Sequence, residues 1–324
     1  MFLSPSVSRE MWPSSSTRPS CRGSLKEPRV QVRRLSRVVR RQLIAVIAGL
    51  LSASCSAPAD LVVEHPTGGQ EVVLRVEHQG VGPMHPMEVI NPRAPSLTVY
   101  SDGLLIRENP FGTTAFFTLY EDIMLSEAGV QQVLADARAA GLEGQDRTLD
   151  AVYGTDGDGT TFITVVAGGA SHSSSAWNLN GTGQAEEGLS EEVVRQRQAL
   201  RRFVDRLGDL AGLSNQTLSE LGPFEPEAWA VVWAVARDPQ QDGPWTEEMV
   251  AGWQIRPWPL ANLAHFGEAL PERAARCALV EGDDLAEVRG SVAQDTLWES
   301  GGVTYWVYLR PLLPDETHCH SAHR

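Results

Sequence analysis

Leu125–Leu142, LSEAGVQQVLADARAAGL, is the stretch from which the rest of the fold can be read. Ser126 stands where a helix N-cap is needed, and Leu125 before it with Val130 after it make the apolar pair of a hydrophobic staple. Val130, Val133, Leu134 and Ala137 recur at helical spacing, so one face is apolar. Gly141 followed by Leu142 is the pattern of a glycine C-cap with its apolar follower. The spacing therefore predicts one amphipathic helix, and a helix with one apolar face needs a sheet or another helix to cover it.

Candidate covering strands lie on both sides. Upstream, Val72–Val76 alternates with charge at Glu71, Arg75 and Glu77, and Leu97–Tyr100 and Leu104–Ile106 flank Asp102-Gly103, a hairpin signal. Phe116–Tyr120 is a further short strand candidate. Downstream, Thr160–Val166 and Ser171–Leu179 are joined by Gly168-Gly169, with Thr161, Ile163 and Val165 on one face and Phe162, Thr164 and Val166 on the other. A second helix opens at Ser190, stapled by Leu189 and Val194, and turns Val193, Leu200, Phe203, Val204, Leu207 and Leu210 inward. Strands, helix, hairpin and helix in that order predict an α+β unit over 71–213, an antiparallel sheet with helices on one face.

The polar run 214–223, SNQTLSELGP, reads as a linker to a second α+β unit over 224–319. There Ala228–Ala236 alternates Trp229, Val231, Trp233 and Val235 with smaller residues. Residues 237–275 hold five prolines and read as a loop-rich crossing with one short helix. Cys277–Val280 reads as a strand, Asp283–Val292 as a helix with Leu285 and Val288 inward, and Thr296–Trp298 with Val303–Leu309 as a hairpin across Gly301-Gly302.

The phrases SLTVYSDGLLI (96–106), LSEAGVQQVLADARAAGL (125–142), TTFITVVAGGASHSSSAWNL (160–179) and WESGGVTYWVYLRPLLPDE (298–316) together resemble a family of uncharacterised, largely actinobacterial exported proteins and lipoproteins. The likeness runs over roughly residues 69–319. It implies an exported location and a compact α+β body, and carries over no catalytic residue.

Location is written in Arg40–Cys55, RRQLIAVIAGLLSASC. Two arginines, an apolar run over 43–51 and the small residues Ser52–Ser54 form an export signal whose apolar part is too short to span a bilayer. Small residues ending on Cys55 resemble the lipobox of bacterial lipoproteins, which makes Cys55 the lipidated first residue of the mature chain. Ser52 stands where that pattern prefers leucine; secretion after cleavage near Ala57 or Ala59 is the alternative. Arg40-Arg41 also fits a twin-arginine signal, although an ordinary basic flank explains it. Residues 1–29 are rich in Ser, Pro and Arg without apolar periodicity, which suggests that translation starts later, at Val30 or Val32. Residues 1–54 thus form an extension plus signal, 55–70 a tether and 320–324 a free tail.

The chain carries 27 basic and 41 acidic residues, of which ten and two lie in 1–54, so the mature part holds 17 against 39, a net of −22. So acidic a surface disfavours nucleic acid, whose binding rests on neutralising phosphates, and basic-face binding to anionic lipid. Cys277 and Cys319, an even pair in an exported chain, are expected to form a disulfide.

Candidate chemistry is sparse. Asp156-Gly157-Asp158 resembles the start of a calcium loop but lacks the closing ligands. Met84-His85-Pro86-Met87 offers soft donors suited to copper, and His318, Cys319, His320 and His323 offer ligand types without a turn to gather them. His172 among Ser171, Ser173, Ser174 and Ser175 invites a serine-hydrolase reading, but no nucleophile elbow is present and solvent-facing strand hydroxyls are the plainer reading. Trp245, Trp253 and Trp258 fit either a recognition surface or packing over a sheet edge. No catalytic residue, metal site or cofactor is assigned. The expected function is a non-enzymatic binding or interaction module of the cell envelope, with an unidentified extracytoplasmic partner and its lipid anchor in the membrane; the alternative is an envelope hydrolase whose site is assembled from residues distant in sequence.

Overall fold

The computed structural model of the protein describes residues 62–79, 94–109, 118–151, 159–209, 212–213, 217–235, 253–270, 275–291 and 296–318. These form a mixed α+β structure of two mostly antiparallel sheets and three α-helices. The first sheet uses β1 (Val72–Gln79), β2 (Ala94–Tyr100), β3 (Leu104–Glu108), β4 (Tyr120–Met124), β5 (Arg147–Thr148), β6 (Thr160–Ala167), β7 (Ala170–Trp177) and β8 (Gly222–Pro223), in the order β5-β7-β6-β1-β2-β3-β4-β8. Only the β5–β7 pair in it is parallel.

Helix α1 (Glu127–Ala139) is built as its sequence dictates. Ser126 Oγ accepts the Gly129 N–H at 3.3 Å, and Val130, Val133, Leu134 and Ala137 are buried. At the far end Gly141 takes φ +75°, the Leu142 N–H donates to the Ala137 carbonyl and the Gly141 N–H to that of Arg138, the double bond of a Schellman cap. Helix α2 (Glu191–Gly208) starts on Ser190, whose Oγ accepts the Val193 N–H. Both helices share one core with the sheet, reached by Ile163 and Val165 of β6, Leu74 and Val76 of β1, and Leu200 and Phe203 of α2. Between β2 and β3, Gly103 sits at φ +92° with the Leu125 carbonyl oxygen where a Cβ would be, so only glycine fits.

The second sheet runs β10-β13-β14-β9-β12-β11, from β9 (Ala228–Val235), β10 (Gln254–Pro257), β11 (Glu268–Leu270), β12 (Ala275–Glu281), β13 (Thr296–Ser300) and β14 (Val303–Pro311). Helix α3 (Gly282–Ser291) buries Leu285 and Val288 against the face carrying Trp229, Val231 and Trp233.

Three expectations need correction. Of the strand expected at Phe116–Tyr120, Phe116 and Phe117 lie outside the described residues, Thr118 and Leu119 are not in a strand, and β4 begins at Tyr120, where pairing with β3 brings Ile123 into the core. In the crossing 237–275, the described part from 253 holds the edge strands β10 and β11 rather than a helix; the remainder lies outside the described residues. Within 214–223, the Leu218 N–H donates to the Met124 carbonyl and Gly222–Pro223 pairs with β4, so this segment extends the first sheet's edge.

After β14 the chain crosses to the first sheet. Arg310 and Glu316, 1% and 5% exposed, form a two-pronged ion pair, Nη1 to Oε2 and Nη2 to Oε1, both at 2.8 Å. Glu316 Oε2 also accepts the Leu313 N–H, tightening Leu313–Glu316 into a turn. Leu313 is thereby set among Tyr100, Ile106 and Tyr120, and Asp315 Oδ1 accepts from both Tyr100 Oη and Arg75 Nη2 at 2.7 Å. The Thr118 and Tyr308 hydroxyls bond at 2.5 Å, and the Thr118 N–H donates to Leu309. Burial disfavours the charge on Arg75, yet Asp315 outweighs it and holds the guanidinium above its ordinary value.

Removing one member of a buried pair strands the other, so Glu316→Ala should lower stability by about 3–5 kcal/mol in denaturant unfolding. Tyr100 and Tyr120 are both pushed above the ordinary phenol value by burial first. A buried phenol with a raised folded value keeps its proton when the unfolded one loses it. Stability should therefore fall above pH ~10, by about 1.4 kcal/mol per pH unit for each tyrosine. Tyr120 Oη is buried with no hydrogen-bond partner among the described residues, so Tyr120→Phe should reduce this slope at almost no stability cost near neutral pH. Tyr100→Phe, which removes a bond to Asp315, should cost about 1.5–3 kcal/mol.

Candidate functional site

The last turn of α1, the Gly168-Gly169 turn between β6 and β7, and the segment leading into β1 enclose a cleft of about 310 Å³. Its charged and titratable lining is Glu64, Arg138, Glu143 and His172. The Schellman turn reverses the chain after Arg138, so Glu143 comes back to meet it, and Arg138 Nε donates to Glu143 Oε2 at 2.7 Å. Glu143 Oε1 is buried with no hydrogen-bond partner among the described residues. The Gly168 N–H donates to the Glu64 carbonyl at 2.7 Å, closing one wall.

His172 reaches this cleft from β7, opposite Val165. Ser174 shares its face, as period-two alternation requires. It is 2% exposed, with Oγ unbonded among the described residues. The expectation of solvent-facing hydroxyls along β7 thus fails at Ser174, which is buried opposite Ile163 on the face that also carries Ala176. Ser171 and Ser173 face the other way and are exposed; the hydroxyls of Ser173 and Thr164 bond at 3.1 Å. The imidazole and the exposed serines of this strand are on opposite faces.

A wider, open cleft of about 510 Å³ lies at the edge of the second sheet, lined by Phe266, Gly267, Glu268, Cys277, Ala278, Leu279, Thr317 and His318. Cys277 is fully buried. Gly267, at φ +62°, lets the backbone pass against the Cys277 carbonyl, where a Cβ would collide. Cys55 and Cys319 lie outside the described residues. So do Met84–Met87, Asp156–Asp158, His320, His323 and Trp245. Trp258, 6% exposed, packs edge-on against Trp298 at 5.2 Å, and Trp253 edge-on against Trp306 at 5.1 Å; both belong to the second sheet's packing rather than to a free surface.

Arg197 is a buried charge that sequence reasoning missed. It is fully buried on the inward face of α2, donating to the carbonyls of Leu149, Trp177 and Asn178, with Glu186 at 3.6 Å. Burial, more than any neighbour, lowers its pKa. Arg201 beside it donates to the carbonyls of Leu179 and Gly181 and to Glu186. The signal was present in the spacing, since 193, 197 and 200 fall on one helical face, but a charged residue is not expected inward. These arginines fasten the chain leaving β7 to α2.

Compared with protein-family models, with curated proteins and with solved structures, the chain matches none of them.

The two kinds of arginine should separate under mutation. Arg197→Met removes the buried guanidinium's bonds to three carbonyls, of which those of Trp177 and Asn178 keep a backbone donor, and should cost ~3 kcal/mol. Arg138→Ala removes an ion pair whose side chains are 43% and 20% exposed, and should cost less than ~1 kcal/mol. Urea unfolding of the two variants checks the contrast.

Proposed function

We propose that this protein is a cell-envelope lipoprotein, exported by the signal ending at Cys55, anchored by lipid on that cysteine, and acting as a non-enzymatic binding module for a polar extracytoplasmic partner. Its family is the exported, largely actinobacterial one that its ordered phrases resemble. Its two sheets are read as two small α+β units, strands-helix-hairpin-helix and then strand-helix-hairpin. The observation that carries the binding reading is the cleft beside α1. A charged pair, Arg138–Glu143, and the His172 imidazole line one turn-walled cleft, while the hydroxyl sharing the imidazole's face, Ser174, is buried. Such a wall offers donors and acceptors of both signs without a reachable serine on the same strand face.

The hydrolase alternative has one observation in its favour: Glu64, Glu143 and His172 converge on this cleft from distant places in the sequence. The two readings part in one experiment. Protein lacking residues 1–55 is mixed with purified envelope polymer, sedimented with it, and the supernatant is examined by mass spectrometry. Binding without released fragments, weakened by the pair Arg138→Ala and His172→Ala, supports the module. Fragments that disappear in Glu143→Gln establish the hydrolase.

Anchoring is tested separately. Cys55→Ala should abolish partition into detergent; a processed Cys55→Ala protein that still partitions overturns the lipid reading.

The pairing of Cys277 with Cys319 belongs to the same proposal. It is supported by Thr317 and His318, the residues just before Cys319, lining one cleft with Cys277. Cys277→Ser should lower stability by roughly 2–5 kcal/mol, and reductant should lower the melting temperature of the wild type but not of the variant. Two reactive thiols in the unfolded, non-reduced mature chain, beyond a modified Cys55, would refute the bond.

A further inference from the structure

The segment joining the anchor to the body is strapped down where it meets the fold. Gln131 of α1 holds Val63 with a reciprocal pair, its Oε1 accepting the Val63 N–H at 2.8 Å and its Nε2 donating to the Val63 carbonyl at 2.9 Å. His65, its side chain 6% exposed, places Nε2 3.1 Å from Glu127 Oε1, which also accepts from Gln131 Nε2. The Glu127 carboxyl is held below its ordinary value, chiefly by the His65 contact. Glu64 is fixed from the other side by the Gly168 N–H. Val63 itself is 3% exposed within the first core. The chain thus becomes part of the body at Val63, and not only where β1 begins.

This strap stands at one end of the first sheet. β1 runs antiparallel to β2 and β6, so the start of β1, the turns after Tyr100 and Ala167 and the end of β4 share that end. The opposite end holds Gln79, Ala94, Glu108, Tyr120, Thr160 and Trp177, the strand ends from which the longer connections leave.

Resting on lipid attachment at Cys55, we infer that the protein presents the turn end of its first sheet to the bilayer and the opposite end outward. Val63 is eight residue-to-residue steps along the chain from Cys55. Fully extended, that length of chain reaches at most about 29 Å. β7 alone, Ala170–Trp177, spans about 26 Å from one end of the sheet to the other. To bring the far end of the sheet to the bilayer the tether must run almost straight along the whole strand length, whereas the near end needs no such extension, and this biases which end meets the membrane. Glu64, Glu71 and Asp102 are exposed at the near end, so an anionic leaflet repels that surface and holds it at tether distance rather than in contact. The near end includes the cleft of Glu64, Arg138 and His172, whose partner is therefore met close to the membrane.

The experiment uses the lipidated full chain in vesicles of zwitterionic lipid with a headgroup-labelled acceptor. A donor fluorophore is placed on Ala170→Cys at the near end or on Asn180→Cys beyond the far end of β7, both exposed positions. Transfer from position 170 should exceed that from 180 several-fold, and the double variant Glu127→Ala/Gln131→Ala, which unfastens the strap, should shrink the difference. Equal transfer from both positions, or more from 180, overturns the orientation. No transfer from either position, matched by Cys55→Ala, overturns the anchor instead.

Discussion

Arg310 and Glu316 can leave water only together, and the geometry of the seam follows from that. All residues of β14 from Tyr305 to Pro311 are buried, so the alternation of apolar and polar side chains that normally fixes a strand's register is missing. One charged residue inside such a strand supplies what the apolar pattern cannot. Arg310 must find its carboxylate, and Glu316 lies near enough in the chain only if Leu313–Glu316 folds back as a turn. That turn is what carries Leu313 and Asp315 onto the first sheet. A buried pair of this kind adds little net stability over an apolar replacement, but it penalises every arrangement that separates the partners. The seam is thereby specified more than it is strengthened.

How much of this was legible depends on whether the deciding contact is local. The caps of α1 and α2 were readable because a cap is a property of four or five adjacent residues. The β2–β3, β6–β7 and β13–β14 hairpins were readable because positive φ at their turns restricts residue choice. β4 was not placed correctly, since its apolar residues are continuous with Phe116–Leu119 and only pairing with β3 decides where the strand starts. β10 and β11 are three or four residues long and owe their existence to partners far along the chain. β14 and its extension were read as a hairpin strand and a disulfide-held tail; that Asp315 would meet Arg75 and Tyr100, some 240 and 215 positions earlier, leaves no local trace.

The same distinction governs the cleft. His172 was singled out for the serines around it, all neighbours in sequence, yet the groups that line the cleft with it come from Glu64, Arg138 and Glu143. Only the Arg138–Glu143 pair had a local cause, the cap that reverses the chain at Gly141. Arg197 shows the converse case, where the helical period pointed inward and residue type argued against it. The period was the better guide, because a guanidinium has enough donors to bond several of the carbonyls that gather where β7 ends.

These pieces bear on one another through the first sheet. Its order places β1 in the middle, so β1 is in contact with the strap before it, with the cleft beside β6 and, through Arg75, with the turn that follows β14. A force applied at Val63 therefore enters the structure next to a central strand paired on both sides rather than at a free edge. An anchored domain needs this arrangement more than a free one does: if the tether led into an edge strand, pulling would peel that strand from its single neighbour. Entering at a central strand, backed by the reciprocal Gln131 pair and the buried Val63 side chain, the pull is shared between two ladders and α1. Rigidity at such a point is also what any tethered orientation would require, because a short tether biases a domain only if the residue it joins is fixed.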